Sequence, residues 1–236
     1  MPKEIITRRC LPHWYVPGAA HFITYRLYGT LTPRMLDELR AKKDSLLQAA
    51  PSAKVTGQQR FRIHKQLFAQ YDSYLDQIKD IKTLSDPHIA ALVRSNLYHH
   101  HGAKYFLQAY CIMPNHVHVL LQPKDTISDC PTDDSAIGER EDGTSPLSSI
   151  MHSLKSYTAH EANRLLHRTG AFWQSESYDH WVRDEDELER IVEYIASNPV
   201  KARLVKSPHE WFFSSCHDRF LSDGEISGWL RWETKH

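Results

Sequence analysis

Apolar and polar residues alternate along residues 103–122 of this 236-residue chain in a pattern that predicts two neighbouring strands. The run "AKYFLQAYCI" predicts one strand, and "HVHVLLQ" returns as the next after a short turn at Met113-Pro114-Asn115. We therefore expect a β-hairpin. The run "HFITYRLYG", which ends at Gly29, predicts an earlier strand, and "ESYDHWVR" predicts a short later one.

Helical periodicity fills the region between the first strand and this hairpin. The stretches "PRMLDELRAKKDSLLQAA" and "QQRFRIHKQLFAQYDSYLDQI" are separated by a break at Pro51-Ser52, which predicts a helical hairpin inserted over about residues 33–84. The stretch "SDPHIAALVRSNLYHHH" then predicts a third helix, with Ser85 or Asp86 as its cap. Its apolar stripe consists of Ile89, Leu92, Val93 and Leu97.

Two more helices are predicted in the C-terminal half. A long one starts at about Pro146 and ends at Gly170, with Leu147, Ile150, Met151, Leu154, Tyr157 and Leu165 facing inward. A second, "DEDELERIVEYIASNP", is capped by Asp184, has Glu187 at the capping-box position, and is expected to stop at Pro199.

The predicted order, once the insertion is removed, is β-α-β-β-α-β followed by a further helix. This is the ferredoxin-like split βαβ pattern, an α+β fold with a single antiparallel sheet and two helices on one face. We expect a single domain over residues 1–236, with an acidic loop at about 124–146. The aromatic tail at about 207–236 is expected to dock on that domain.

Composition and charge narrow the class of protein. Hydrophobic residues make up 41%, and no apolar run reaches the ~18–20 residues that a membrane span needs. Four widely spaced cysteines without a CxxC pair suggest reduced thiols, so we expect a cytoplasmic protein. Net charge is zero, yet residues 1–128 carry 17 Lys and Arg against 9 Asp and Glu, while residues 129–145 carry 1 against 6. The N-terminal half could therefore present a basic face to an anionic ligand.

Two histidines fall on one face of the third predicted strand. His116 and His118 are alternate residues, so their side chains start roughly 6.5–7 Å apart and can converge on one small ion. Val117 and Val119 then point the other way, into the core. We accordingly expect the histidine face to be the open face of the sheet. The alternative is a pair of half-exposed histidines on a solvated strand.

A second pair lies on the last predicted helix. Tyr194 and Asn198 are spaced i, i+4 at the margin of the apolar stripe. The alternative interpretation is a packing tyrosine and an amide that caps the helix before a proline. Two imidazoles and an amide oxygen together suit Mg²⁺ or Mn²⁺ with positions left open for phosphate oxygens. A tyrosine aided by such a metal could attack a phosphodiester and conserve its energy as a phosphotyrosine ester.

The motifs "MPNHVHVLLQP" and "FWQSESYDHWVRDEDELERIVEYIASNPVKARLV" closely resemble the REP-associated tyrosine transposases. These are single-tyrosine HUH nucleases related to insertion-sequence transposases of the IS200 type, and the resemblance runs from "HWYVPGAAHFITYRLYG" to "WFFSS". It implies a ferredoxin-like fold, a divalent metal and cleavage of single-stranded DNA next to small hairpins. It also implies that His116 and His118 are metal ligands and that Tyr194 is the nucleophile. Asn198 would be the third metal-side residue, at a position where the insertion-sequence relatives often have Gln.

Two other tyrosines, Tyr157 and Tyr178, are rivals to Tyr194 as the nucleophile. Tyr157 lies inside the stripe of the long helix, which favours a core role, and Tyr178 could reach the open face from a strand start. Tyr194 is preferred because it has the polar partner at i+4. Candidate phosphate contacts are Arg8, Arg9, Arg26, Lys104, Lys155, Arg164, Arg183, Lys201 and Arg203. Candidate stacking residues are Trp14, Tyr15, Trp173 and Trp181.

Three functions are compatible with these residues. The first is an active transposase-type nuclease that cuts and rejoins single-stranded DNA through Tyr194, acting as a monomer or weak homodimer. The second is a domesticated hairpin-DNA-binding protein that no longer mobilises DNA. The third is a metal-dependent hydrolase with activated water. It is disfavoured because no further His or Asp follows His118 at the spacing that such enzymes use.

Overall fold

The computed structural model describes residues 5–7, 13–49, 57–124 and 145–217. The strands are β1 (Ile5–Thr7), β2 (His13–Tyr15), β3 (His21–Arg26), β4 (Tyr105–Ile112), β5 (His116–Pro123) and β6 (Tyr178–Trp181). The α-helices are α1 (Pro33–Gln48), α2 (Gly57–Gln77), α3 (Pro87–His99), α4 (Pro146–Leu165) and α5 (Glu185–Lys201). Short 3-10 turns cover Thr83–Ser85 and Pro208–Glu210.

Four strands form one antiparallel sheet in the order β4-β5-β3-β6. The connections β3-α3-β4 and β5-α4-β6 place α3 and α4 against each other on one face, which confirms the predicted ferredoxin-like α+β fold. The two central strands are buried along nearly their whole length. β1 and β2 form a separate two-stranded pair that the sequence pattern did not predict.

The face under α3 and α4 holds the larger apolar core. Val117, Val119 and Leu121 of β5 pack there, as the alternation of that strand predicts. The predicted inward orientation is wrong for two residues of the α4 stripe, because Tyr157 is 54% exposed and Leu165 is also on the surface. Thr158 and Ala162 take the inward positions instead, and the buried hydroxyl of Thr158 accepts a hydrogen bond from Trp173 Nε1 at 2.8 Å.

The opposite face of the sheet is covered, contrary to the expectation of an open histidine face. The inserted α1–α2 hairpin is present as predicted, and it folds back over this face together with α5. Leu39, Tyr71 and Leu75 of the hairpin and Ile195 of α5 pack with Phe22 of β3 in a second core. The apolar stripes of α1 and α2 need a surface to cover, and this face of the sheet supplies it.

Helix α5 begins and ends at well-defined caps. The Asp184 carboxylate accepts a hydrogen bond from Glu187 N at 2.8 Å, as predicted. The Glu187 carboxylate contacts His180 Nε2 and accepts a hydrogen bond from Arg183 Nε. Desolvation raises the pKa of Glu187, but these two partners outweigh it and lower the pKa to about 2. The predicted stop at Pro199 is wrong. The proline lies inside the last turn, where it removes one i→i−4 hydrogen bond, and the helix nevertheless continues to Lys201.

The chain after α5 returns to the sheet. Residues 211–217 run beside β4, where Ile112 N donates to Phe213 O and Trp211 Nε1 donates to Ile112 O. The part of the chain outside the described residues includes residues 125–144 of the acidic loop predicted at about 124–146, the tail beyond residue 217, Arg8 and Arg9. Within the described part of the chain, none of the helices is long and apolar enough to cross a membrane.

A substitution at the end of α5 tests this helix boundary. Arg203 has a positive φ of 59°, and the bonds from Leu204 N to Pro199 O and from Arg203 N to Val200 O form a Schellman cap. Glycine is favoured at that position, so Arg203→Gly should raise the free energy of unfolding by about 0.5–1 kcal/mol. The measurement is urea unfolding, with Arg190→Gly in the middle of the same helix as control. Arg190→Gly should lower stability by about 1 kcal/mol, and equal losses in both variants would contradict the cap assignment.

Candidate active site

The two histidines project from β5 into the covered face of the sheet. His116 is 1% exposed and His118 is 0% exposed. Their Nε2 atoms lie 3.0 Å apart, and the two rings are inclined at 75°. The sequence therefore predicted the convergence of the pair correctly but not its burial. Desolvation lowers the pKa of His116 to about 3, and it lowers the pKa of His118 well below its ordinary value, so both imidazoles are neutral at pH 7.

The protonation of His116 is set by Asn115, the last residue of the β4–β5 turn. The amide Nδ2 of Asn115 donates to Leu75 O and Ile78 O at the end of α2, both at 2.9 Å. Its Oδ1 therefore faces Nδ1 of His116, and this oxygen can only accept. His116 thus carries its proton on Nδ1 and presents a lone pair at Nε2.

The proton of His118 has two possible positions. Its Nδ1 lies 2.8 Å from Thr24 Oγ1 on β3, and a hydroxyl can either donate or accept there. With the proton on Nε2, His118 donates to His116. With the proton on Nδ1, His118 donates to Thr24, and two Nε2 lone pairs then face one another at a distance suited to a shared cation. Thr24 satisfies the ring in both states, as outer-sphere partners of metal-binding histidines usually do.

A third potential ligand comes from α2. Asp72 Oδ1 lies 3.6 Å from His118 Nε2, and one ligand atom from each of Asp72, His116 and His118 lies within 4.8 Å of the others. The sequence reasoning missed this residue. Its signal was a carboxylate on the apolar face of an amphipathic helix, one turn after Phe68 and one residue after Tyr71.

These residues fit a divalent cation. Two nitrogen ligands at about 2.1 Å from an ion and at right angles to one another are roughly 3.0 Å apart, which agrees with the separation of the two Nε2 atoms. The Oδ1 atoms of Asp72 and Asn198 are both buried and have no hydrogen-bond partner among the described residues. Neutral imidazoles beside a carboxylate and an amide oxygen form a donor set that suits a divalent metal ion.

Tyr194 stands over this cluster from α5. Its ring centroid is 5.4 Å from that of His118, and the rings of Phe22 and Phe68 lie 5.8 and 5.7 Å away. The hydroxyl is buried. Burial is the main cause of a strong rise in its pKa, which Asp72 increases, whereas the amide of Asn198 acts in the opposite direction by favouring the phenolate. Asn198 is 1% exposed, and its amide lies beside the candidate nucleophile, while its role as a metal ligand stays a prediction.

The rival tyrosines are placed differently. Tyr178 is buried in the second core, with its ring centroid 4.5 Å from that of Phe68, and burial raises its pKa strongly. Tyr178 does not reach an open face of the sheet, because the α1–α2 hairpin and α5 cover the face on which it lies. Tyr157 projects to solvent from α4, on the other side of the sheet. Tyr194 is therefore the tyrosine that combines contact with the histidine cluster and a neighbouring amide.

The candidate DNA contacts are scattered. Lys201 lies at the site, and Arg203 is exposed just beyond it. Arg26 is buried, donates to Thr30 Oγ1 at 3.1 Å and lies over the ring of Tyr71. The others belong to separate surfaces: Lys104 near Ser153, Lys155 bonded to Ser175 O, Arg164 paired with Glu161 and Arg183 paired with Glu187.

The proposed stacking residues are largely enclosed. Tyr15 is buried and stacked on His21 at 5.4 Å, and Trp173 is buried in the core. Trp181 is half-buried at the end of β6, and the side chain of Trp14 lies outside the described residues. Neither Tyr15 nor Trp173 is presented to a DNA base in this conformation.

Removal of the Asp72 carboxylate tests the metal site. Asp72→Asn should weaken Mn²⁺ binding at least ~10-fold, measured by isothermal titration calorimetry, because a charged ligand is lost. Asp76→Asn removes an equal charge one turn further along α2, from a residue whose side chain is outside the ligand cluster. This control should weaken binding far less. Equal losses in both variants would mean that Asp72 acts only through its long-range field.

The buried histidines predict a pH dependence of stability in metal-free buffer. A histidine whose folded pKa is lowered binds its proton more readily when unfolded, so its contribution is complete above pH 6.5 and falls as the pH drops. Each such histidine should cost about 1.4 kcal/mol per pH unit below pH 6.5. Asp72 acts in the opposite direction below pH 6, because burial raises its pKa to about 6.

A variant isolates the contribution of His118. The free energy of unfolding by urea is measured in EDTA at pH 6.5 and at pH 5.0, above the range in which Glu187 titrates. His21 is also buried with a lowered pKa, so it makes the same contribution to the pH dependence of stability in both proteins. His118→Asn should reduce the slope by about 1.4 kcal/mol per pH unit. A slope equal to that of the unsubstituted protein would show that His118 is already protonated in the folded state.

Comparisons with known proteins agree with the motifs. No family model matches the chain. A curated Haemophilus influenzae protein, provisionally named a REP-associated tyrosine transposase, is 29% identical over 109 residues, which cover 46% of this chain and 57% of that relative. A solved structure titled as a REP-associated tyrosine transposase bound to a REP hairpin matches 89% of this chain and 82% of its own, with 17% identity and a TM-score of 0.43. The resemblance to REP-associated tyrosine transposases that the motifs indicate is confirmed by the Haemophilus influenzae relative.

Proposed function

We propose that this protein is a metal-dependent, transposase-type endonuclease and strand transferase that cuts single-stranded DNA next to small hairpins. The observation that carries the proposal is the position of Tyr194 over the cluster of Asp72, His116 and His118. The name of the Haemophilus influenzae relative supports the transposase type. Cytoplasmic action on repeated hairpins, as a monomer or weak homodimer, is part of the same proposal.

The residues divide the chemistry between them. His116, His118 and Asp72 would hold the divalent metal, which supplies Lewis-acid polarisation of the scissile phosphate when bound. The Tyr194 oxygen attacks phosphorus and loses its proton, while a deoxyribose oxygen leaves and gains one. One phosphate ester is exchanged for another, so the reverse attack by a DNA hydroxyl restores a phosphodiester and frees the tyrosine. The Asn198 amide favours the phenolate that this exchange requires.

Access to Tyr194 requires a movement. Its hydroxyl is buried, and Phe68 of α2 packs against Tyr194, His118 and Phe22. A DNA phosphate can reach the phenol only when the Phe68 ring, or α2 as a whole, shifts away from α5. Because α2 also carries Asp72, the same movement would change the ligand set around the metal.

A second candidate function draws on this burial. A hairpin-DNA-binding protein without mobilising activity would have no need of an accessible nucleophile, and the covered hydroxyl is consistent with that role. The alternative predicts tight binding of hairpin DNA with no covalent product at any metal concentration. One experiment with the same DNA distinguishes the two functions.

Tyr194→Phe is the test of the nucleophile. Labelled single-stranded hairpin DNA from the flanks of the protein's own gene is incubated with the protein and Mn²⁺ or Mg²⁺, and adducts that resist denaturation are counted. Tyr194→Phe should abolish the adduct, whereas hairpin affinity and thermal stability stay nearly unchanged because only one unpartnered hydroxyl is removed. Tyr157→Phe is the surface control and should form the adduct normally. An adduct that survives in Tyr194→Phe and is lost in Tyr178→Phe would overturn the assignment.

A further inference from the structure

Lys201 occupies a position that the reaction scheme above does not use. It is the last residue of α5, seven residues after Tyr194 and therefore on the same side of the helix two turns away. Its Nζ lies 4.3 Å from the centroid of the Tyr194 ring. The side chain is otherwise exposed, so Lys201 reaches the candidate nucleophile from the solvent side.

The charge of Lys201 acts on the whole cluster. The pKa of Asp72 and that of Asp76 are both raised chiefly by burial, and Lys201 opposes the rise in each case. The same ammonium helps to lower the pKa of His118, after burial and His116. Among the described residues, no carboxylate lies within the 4 Å of Lys201 that would make an ion pair. The positive charge is thus close to the reacting groups and not neutralised by a direct partner.

In the metal-free site, a DNA phosphate that approaches Tyr194 meets an unfavourable field without Lys201. Asp72 and Asp76 both carry negative charge toward the same space, and both raise the pKa of Tyr194. Arg26 cannot offset the negative charge of these carboxylates from the solvent side, because it is buried, lies over the Tyr71 ring and donates a hydrogen bond to Thr30. A lysine ammonium is a compact charge on a flexible stem, and it suits a single phosphate oxygen.

We propose that Lys201 is a catalytic residue that binds a non-bridging oxygen of the scissile phosphate while Tyr194 attacks it. The proposal rests on the proposed function, because it requires a phosphodiester at Tyr194. In the DNA-free protein the ammonium rests on the Tyr194 ring, and on binding it moves to the phosphate. The cation–π contact with Tyr194 keeps the side chain close to its place of action.

The competing explanation is that Lys201 only holds the Tyr194 ring in place. The two roles differ in whether the charge of the scissile phosphate matters. The adduct-forming rate is measured for the unsubstituted protein and for Lys201→Ala on two hairpin substrates, after the cleavage position has been mapped. One substrate has an ordinary phosphate at that position and the other has an uncharged methylphosphonate.

Lys201→Ala should slow adduct formation on the ordinary substrate about 100-fold, as expected for removal of a group that stabilises transition-state charge. On the methylphosphonate substrate the two proteins should differ by less than about 3-fold. Lys201→Arg should recover part of the rate, and Lys206→Ala, an exposed lysine five residues further on, should behave like the unsubstituted protein. Hairpin affinity without metal should change less than about 3-fold, since one phosphate contact among many is lost.

The opposing outcomes are distinct. Equal losses on both substrates would assign Lys201 to the Tyr194 ring and overturn the phosphate contact, and an unchanged rate would overturn any catalytic role. In both cases the unsubstituted protein still forms the adduct, so the proposed function survives. Absence of an adduct from the unsubstituted protein would reject the proposed function and this inference together. Thermal melting of each variant shows that a loss of rate is not a loss of folding.

Discussion

A short chain of hydrogen bonds through the two buried imidazoles is the constraint on which the site depends. It begins at the last carbonyls of α2, passes through Asn115 to His116, crosses to His118 and ends at Thr24. Each hydrogen bond orients the next group. Together they fix the relative positions of the end of α2, the β4–β5 turn and the strands β3 and β5. Both imidazoles are neutral and desolvated. Two nitrogen lone pairs at this distance repel each other unless a shared proton or a cation lies between them.

The four strands of the main sheet and the five helices were predictable because their patterns are local, whereas β1 and β2 were not predicted. The alternation of β5 gives the two histidines a common face, and the cap and stripe of α5 place Tyr194 and Asn198 together. Which residues of α4 face the sheet was harder to predict, because Tyr157 and Leu165 fit the helical period and yet are exposed. Helical spacing alone does not fix the rotation of a helix to within one residue.

The covering of the histidine face could not be read from the sequence. Nothing local tells which surface the α1–α2 hairpin packs against, so the burial of His116 and His118 and the approach of Asp72 both went unforeseen. The spacing after His118 could not reveal the third potential ligand either, because Asp72 lies 44 residues before His116 in the sequence. Contacts between distant segments depend on tertiary packing, which overrides local pattern.

Burial gives the site both its order and its main obstacle. The apolar rings around Tyr194 exclude water and strengthen electrostatic interactions, but they also raise the pKa of the phenol and cover it. A neighbouring cation is then needed to stabilise negative charge as it develops, and the donor set beneath the tyrosine can hold one. In the proposed reaction, metal binding, movement of Phe68 and entry of the phosphate are coupled.

The most direct measurement is to locate the DNA on the protein. The covalent product formed with hairpin DNA and Mn²⁺ is digested with protease and nuclease, and the nucleotide-bearing peptide is sequenced by mass spectrometry. We expect the remaining nucleotide on Tyr194, in the peptide that also contains Asn198. A nucleotide on Tyr178, on Tyr157 or on any residue outside α5 would contradict this expectation.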